Sequence, residues 1–357
     1  MTAKLILQNG RIYEGKAFGA VGTVVGEVVF TTGMTGYQET LTDPSYAGQI
    51  ITQTFPLIGN YGINSLSSEA AAPAAKGYIV REHCEQPSNF RSQGDIDGFL
   101  KACGVIGLCD IDTRSLTRVI RETGVMNGML TTEDVNIDDA LVQIKSYSVG
   151  KVVPLVSVTK KEQGGKGKLN IALIDYGYKR HIKAELEKLG ASVTVYPWNV
   201  SISELLADKP DGIMLSNGPG DPEENVEAID TIREIMKQNI PLFGICLGHQ
   251  LTALASGAKT FKLKYGHRGA NQPVLDLATE RTYVTSQNHG YAVDGDSLDK
   301  EVGEVSHVNA NDLTCEGIRY KNAPAFTVQF HPEAHGGPQD TNFLFKEFIS
   351  LIEKGTK

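Results

Sequence analysis

The chain reads as an α/β protein of two domains: a strand-rich α+β domain, then a flavodoxin-like, mostly parallel sheet with helices on both faces. Three observations predict this. At 357 residues the chain is too long for one ordinary core. A polar, glycine-rich run at 160–168, KKEQGGKGK, has nothing to bury and marks a seam. After that seam, apolar runs of strand length alternate with amphipathic helical ones. The expected domains are therefore 1–168, linker included, and 169–357.

The elements follow in order. KLILQNGRIYEG sets Asn9-Gly10 between two short apolar segments, which predicts a β-hairpin. GTVVGEVVFTT is β-branched and reads as a strand. TRSLTRVIRETG places Leu116, Val119 and Ile120 on one helical face, with Gly124 positioned to end the helix. Beyond the seam, LNIALIDYG is a buried strand, and YKRHIKAELEKLG carries Ile182, Leu186 and Leu189 on one face before Gly190. The strands ASVTVYP and DGIMLS, a helix through ENVEAIDTIREIMKQ and the strand PLFGIC come next. Repeated β-α-β units imply a parallel sheet covered on both faces. From about Lys259, short β runs and turns replace helices, so antiparallel strands are expected to extend that sheet.

Composition narrows the function. A hydrophobic share of 41% with 21% charged residues is that of a soluble globular protein. The net charge of −8, with no basic block, argues against a nucleic-acid binder, whose phosphate contacts need clustered Lys and Arg. The 5 cysteines form no CxxC pair, and the odd number argues against a disulfide framework. There is no zinc spacing. MTAKLILQNG lacks the apolar core of a signal peptide, and no stretch reaches the roughly 18 apolar residues of a membrane span. A reducing cytoplasm is the expected setting.

One cysteine stands apart. In GICLGHQ, Cys246 lies between Gly244 and Gly248, after a strand and before a helix, in the G-x-C-x-G form of a nucleophile elbow. Such a corner lifts the thiol clear of the sheet and sets it at a helix N-terminus, which favours thiolate. The amide of Leu247 points the same way as an oxyanion donor. Cys84, Cys103, Cys109 and Cys315 lack this frame and read as small buried hydrophobes.

A thiol nucleophile needs a base, and the base an orienter. VQFHPEAH offers His331 at a strand end and Glu333 two positions on, on the same side of an extended segment. His335 is a rival base in a glycine-rich loop. LSNGPGDP follows another strand, and Gly218 and Gly220 expose amides suited to a second oxyanion donor; standing alone it would be a plain turn. TSQNHGYAV supplies Asn288, Gly290 and Tyr291 as a substrate loop, while His289 there reads equally well as structural or functional.

Together these four segments resemble the class I (triad type) glutamine amidotransferase domain, from about Leu169 to the C-terminus. In addition, GEVVFTTGMTGYQETLTDPSYAGQI at 26–50 resembles the N-terminal domain of the small, glutamine-hydrolysing subunits of carbamoyl-phosphate synthase, a ligase. The resemblance implies that Cys246 is the nucleophile, His331 the base and Glu333 its partner. It implies oxyanion donors at Leu247 and Gly220, and glutamine contacts at Gln250, Gly218, Gly220, Asn288, Gly290 and Tyr291. Tyr291 stands where the family often has Phe. Ser45, in TDPSYAG, matches a serine that reaches the glutamine from the front domain.

The resemblance also implies a partner. This chain has no G-x-x-x-x-G-K-[ST] motif, and no cofactor or metal is expected in it. A separate large synthetase subunit, forming a heterodimer or higher oligomer, is expected to use ATP, Mg and bicarbonate and to receive ammonia internally. The product, carbamoyl phosphate, feeds arginine and pyrimidine synthesis. The alternatives are the amidotransferase subunit of another synthetase, a stand-alone γ-glutamyl cysteine hydrolase, and a silent scaffold, against which the intact Cys246, His331 and Glu333 argue.

Overall fold

The computed structural model describes residues 1–355, which form two compact units, Met1–Gly150 and the described residues from Lys151 on. The first is a closed barrel of strands β1 (Thr2–Leu7), β2 (Ile12–Gly19), β3 (Thr23–Thr31), β4 (Gln49–Gln53), β5 (Gly77–Ile79), β6 (Ile106–Cys109) and β7 (Met126–Thr131), in the order β1-β2-β6-β5-β4-β3-β7. The expected hairpin is β1-β2, paired through Ile6 and Ile12, with Gly10 at a φ of 83° in its turn. Closure removes every open edge. Leu5, Val28, Ile50, Ile79, Leu108 and Leu130 from six of its strands pack in one cluster with Leu116, Val119 and Ile120 of helix α1 (Thr113–Thr123). Asp112 caps that helix by accepting from the Ser115 amide, and Gly124 ends it at a φ of 98°.

The second unit is built on strands β8 (Leu169–Asp175), β9 (Ala191–Pro197), β10 (Gly212–Leu215), β11 (Leu242–Ile245), β12 (Lys259–Asp276), β13 (Arg281–Asp294), β14 (Gly303–Asn309), β15 (Cys315–Tyr320) and β16 (Ala325–Val328). They form one sheet in the order β9-β8-β10-β11-β16-β15-β13-β12-β14. The first five in that order are parallel, and the other four are antiparallel, as expected of the β-rich C-terminal stretch.

Helices α2 (Arg180–Lys188), α3 (Ile202–Ala207), α4 (Val226–Met236), α5 (Leu247–Ala255) and α6 (Phe343–Gly355) cover this sheet. Alternate residues of a strand face opposite sides. Ile171 and Leu173 pack with Ile182, Leu186, Phe345 and Phe348, from α2 and α6. Ala172 and Ile174 pack with Leu205, Ile232 and Leu251, from α3, α4 and α5. The two faces thus have separate cores.

The polar run at 160–168 does not coincide with the division between the two units. The units part at Gly150, and the polar stretch packs with the second unit. Val153 is buried in that unit's core, the Val158 amide donates to Asp175 Oδ2, and Glu162 forms a β-bridge with Val195. Lone apolar side chains and backbone bonds, invisible in composition, anchor it. Among the described residues, no helix is long and apolar enough to cross a membrane.

Candidate active site

Strands β11 and β16 are parallel neighbours, with Ile245 paired to Val328, so both chains leave the same edge of the sheet side by side. Cys246 follows Ile245 at φ 52°, ψ −102°, a positive φ outside glycine's usual monopoly, and its amide donates to Val328 O. The flanking glycines leave room for this turn. A Cβ at Gly248 would lie 2.5 Å from Leu215 O, and one at Gly244 would lie 2.9 Å from Gly248 O. Helix α5 therefore starts hard against the end of β10.

His331 comes off β16 and is tied to β13 by its amide, which donates to Ser286 O. Its Nδ1 lies 2.7 Å from Glu333 Oε1, and both side chains are fully buried. Burial and then the Lys179 charge lower the imidazole pKa, but Glu333 and the Cys246 thiol outweigh them and hold it above the ordinary value. Nε2 completes no hydrogen bond of good geometry among the described residues, yet the thiol acts on the ring. For Glu333, burial works against ionisation, while His331 and Lys179 overcome it and lower the pKa. The sulfur itself lies 3.8 Å from Asn288 O.

Lys179 is the member that no motif announced. Its Nζ lies 3.6 Å from Glu333 Oε1, and its amide donates to Asn217 Oδ1. Asn217 Nδ2 donates in turn to Gly177 O, tying the loop after β8 to the loop after β10. A lysine just before an amphipathic helix reads as surface; only the parallel order of β8 and β10 brings it inward.

The remaining predicted residues sort by what they touch. The amides of Leu247 and Gly220, the latter at a φ of 88°, have no hydrogen-bond partner among the described residues. Gly218 packs so closely that a Cβ there would lie 2.3 Å from Tyr176 O and 2.7 Å from Leu247 Cδ2. Gln250 spends its amide nitrogen inside the protein, on Tyr291 O at 2.8 Å and Gln329 Oε1 at 2.9 Å, so it braces the 288–291 segment. Gly290 has Arg268 Nη2 3.2 Å from where a Cβ would stand. Ser45 belongs to the first unit, buried in the turn Pro44–Tyr46, where its amide donates to Asp43 Oδ1. His335 is exposed and stacks on His181 at 3.9 Å. Of the two candidate bases, His331 is the buried one and the one paired with a carboxylate, Glu333.

One group has metal-like spacing: ligating atoms of His267, His289 and Glu316 lie within 4.8 Å of one another. Asn309 Nδ2 stands against it, 3.5 Å from His267 Nδ1 and 3.4 Å from Glu316 Oε1. Its orientation is set, because Asn309 Oδ1 accepts from the Asn311 amide at 2.9 Å. A hydrogen-bond donor between two ligand atoms fits a polar network better than a cation.

A cysteine elbow, a buried His-Glu pair and a doubly wound sheet together define a class I glutamine amidotransferase domain. Residues 172–351 match the family model for glutamine amidotransferase class-I, and residues 5–130 match that for the carbamoyl-phosphate synthase small chain, CPSase domain. The carbamoyl phosphate synthase small chain of Listeria monocytogenes serotype 4b is 52% identical, over 98% of this chain and 96% of that one. The small chain of Fusobacterium nucleatum is 50% identical over 99% of each chain, and the pyrimidine-specific small chain of Bacillus subtilis 50% identical over 100% of this chain and 98% of its own. Among solved structures, a glutamine amidotransferase from Thermotoga maritima covers 53% of this chain and 85% of its own, at 18% identity and a TM-score of 0.40. The chain belongs to the carbamoyl phosphate synthase small chain family.

Proposed function

We propose that this chain hydrolyses the side-chain amide of glutamine and passes the ammonia to a large synthetase subunit that makes carbamoyl phosphate from bicarbonate and ATP. The observation that carries it is a buried imidazole held at Nδ1 by Glu333, on the chain that leaves the sheet edge beside the strand ending at Cys246.

The Cys246 thiolate attacks the amide carbon, and a C–S bond forms. The Leu247 and Gly220 amides donate to the resulting oxyanion, each such donor being worth about 3 kcal/mol in the transition state. His331 gives its proton to the nitrogen as the C–N bond breaks and ammonia leaves. A water then yields a proton to His331 and adds to the thioester, and the C–S bond breaks to release glutamate. Asn288, Gly290 and Tyr291 hold the amino acid from β13, Gln250 holds that segment, and Gly218 keeps the turn tight. Free ammonia protonates in water and loses its nucleophilicity, which is why a consuming partner with its own ATP, Mg and bicarbonate is part of the reading. The match over 5–130 favours this synthetase over others and over a solitary γ-glutamyl hydrolase.

With the large subunit present, Cys246→Ala should lower glutamine-dependent carbamoyl phosphate formation by at least about 10³-fold and leave the ammonia-dependent rate intact. Equal loss with both nitrogen sources, or none with either, overturns the assignment.

A further inference from the structure

The buried carboxylate of Glu316 plays no part in that chemistry, yet it sits behind the segment that holds the substrate. Glu316 Oε2 accepts from Gln287 Nε2 at 3.0 Å, and Oε1 accepts from Asn309 Nδ2. Gln287 Nε2 also donates to Thr285 Oγ1, so its amide cannot turn over without losing both bonds, and its Oε1 is left facing His289 Nε2 at 3.1 Å. The other ring nitrogen of His289 lies 2.7 Å from Tyr291 O, the carbonyl that also accepts from Gln250. Both His289 nitrogens therefore face oxygens, and the one hydrogen of the neutral ring serves one of them while the other contact is held by packing. Burial first, then the charge of His267, lowers the His289 pKa well below the ordinary value, so the ring is neutral; Glu316 Oε1 lies 3.9 Å from its Nε2.

Alternation along β13 turns this into a statement about the site. Gln287, His289 and Tyr291 share one face of the strand, Asn288 and Gly290 share the other, and the Asn288 carbonyl lies 3.8 Å from the sulfur. Backbone pairing alone holds this stretch weakly. Between two register shifts of the β12-β13 ladder, only the three pairs His267–His289, Arg268–Asn288 and Gly269–Gln287 hold it. The same stretch carries three ties to the site: Ser286 O to the His331 amide, Asn288 O to the sulfur, and Tyr291 O to Gln250 on α5. A slip of one residue would misplace all three.

We propose that Glu316 is a positioning residue for glutamine binding: through Gln287 and His289 it fixes the register of residues 286–291 and so the seat of the substrate at Cys246. The proposal rests on the glutamine reading of this site.

The test compares wild type, Glu316→Ala and Gln287→Met, each as the full chain with its large subunit. Both variants should raise the KM for glutamine about tenfold, since each strips a buried partner from the relay. Their kcat should fall less than about threefold, because Cys246, His331 and Glu333 are untouched. A folded Glu316→Ala protein with wild-type KM overturns the proposal. If that variant does not fold, Gln287→Met decides alone, and an unchanged KM overturns it equally. Stoichiometric metal in the wild-type protein that is lost in either variant also overturns it, in favour of a cation site at His267, His289 and Glu316. Wild-type protein that never hydrolyses glutamine overturns the active-site reading as well; activity with unmoved KM overturns this inference only.

Discussion

His331 is caught between opposing influences, and their balance sets how the site responds to pH. Burial and Lys179 push its proton off; Glu333 and the Cys246 thiol retain it, and the net direction is upward from 6.5. A raised folded pKa means that the imidazolium persists above pH 6.5, and its stabilising contribution is lost only as pH rises through the raised value. In the proposed reaction the imidazolium protonates the leaving ammonia, so the alkaline limb of glutamine-dependent kcat should lie above pH 6.5. Glu333→Gln removes a charge that raises this pKa, so the limb should move to lower pH and kcat should drop at least about 10²-fold. A pH–rate profile of the variant with the limb unmoved would show that another group supplies the proton. Acid should affect Glu333 little, since its own pKa is lowered and it stays ionised below the usual carboxylate range.

At the scale of elements, the β11-turn-α5 unit converts a strand end into a reactive corner, and its glycines are packing requirements. Gly248 donates its amide to Ser216 O at 3.0 Å while its Cα presses on β10. Gly248→Ala puts a methyl 2.5 Å from a backbone oxygen, so α5 must back away from β10 and carry the Leu247 amide with it. Such overpacking should cost about 1–3 kcal/mol in a urea unfolding curve and also lower kcat; unchanged midpoint and kcat together would refute the close contact. This unit was legible in the sequence because everything it needs lies within ten residues, as was the β1-β2 hairpin with Asn9-Gly10. Barrel closure was not, since it depends on pairings such as β2 with β6 and β1 with β7, made between distant segments. Lys179 and Glu316 escaped notice for the same reason: each is one charged residue in an ordinary local pattern, and the topology alone brings it against Glu333 or Gln287.

At the scale of the whole molecule, the division at Gly150 makes residues 151–168 part of the second unit's fold. Val153 sits at 1% exposure with Ile174, Tyr176 and Leu215 around it in one cluster. The Ser157 hydroxyl accepts from the Trp198 amide at 3.0 Å, and the Val158 amide donates to Asp175 at 2.6 Å. Asp175 is buried, which raises its pKa, and three backbone amides oppose that rise, those of Tyr178, Val158 and Gly177. A fragment beginning at 169 lacks one of the three and exposes the cavity left by Val153; a fragment beginning at 151 keeps both. Burial of one valine and loss of a charge-assisted hydrogen bond sum to about 3–5 kcal/mol. Fragment 151–357 should therefore unfold cooperatively in urea, and fragment 169–357 at a clearly lower midpoint, with the gap widening above the raised Asp175 pKa, where the under-solvated carboxylate is charged. Matching midpoints at neutral pH would mean that the stretch contributes no stability and that the seam at 160–168 is the true domain border.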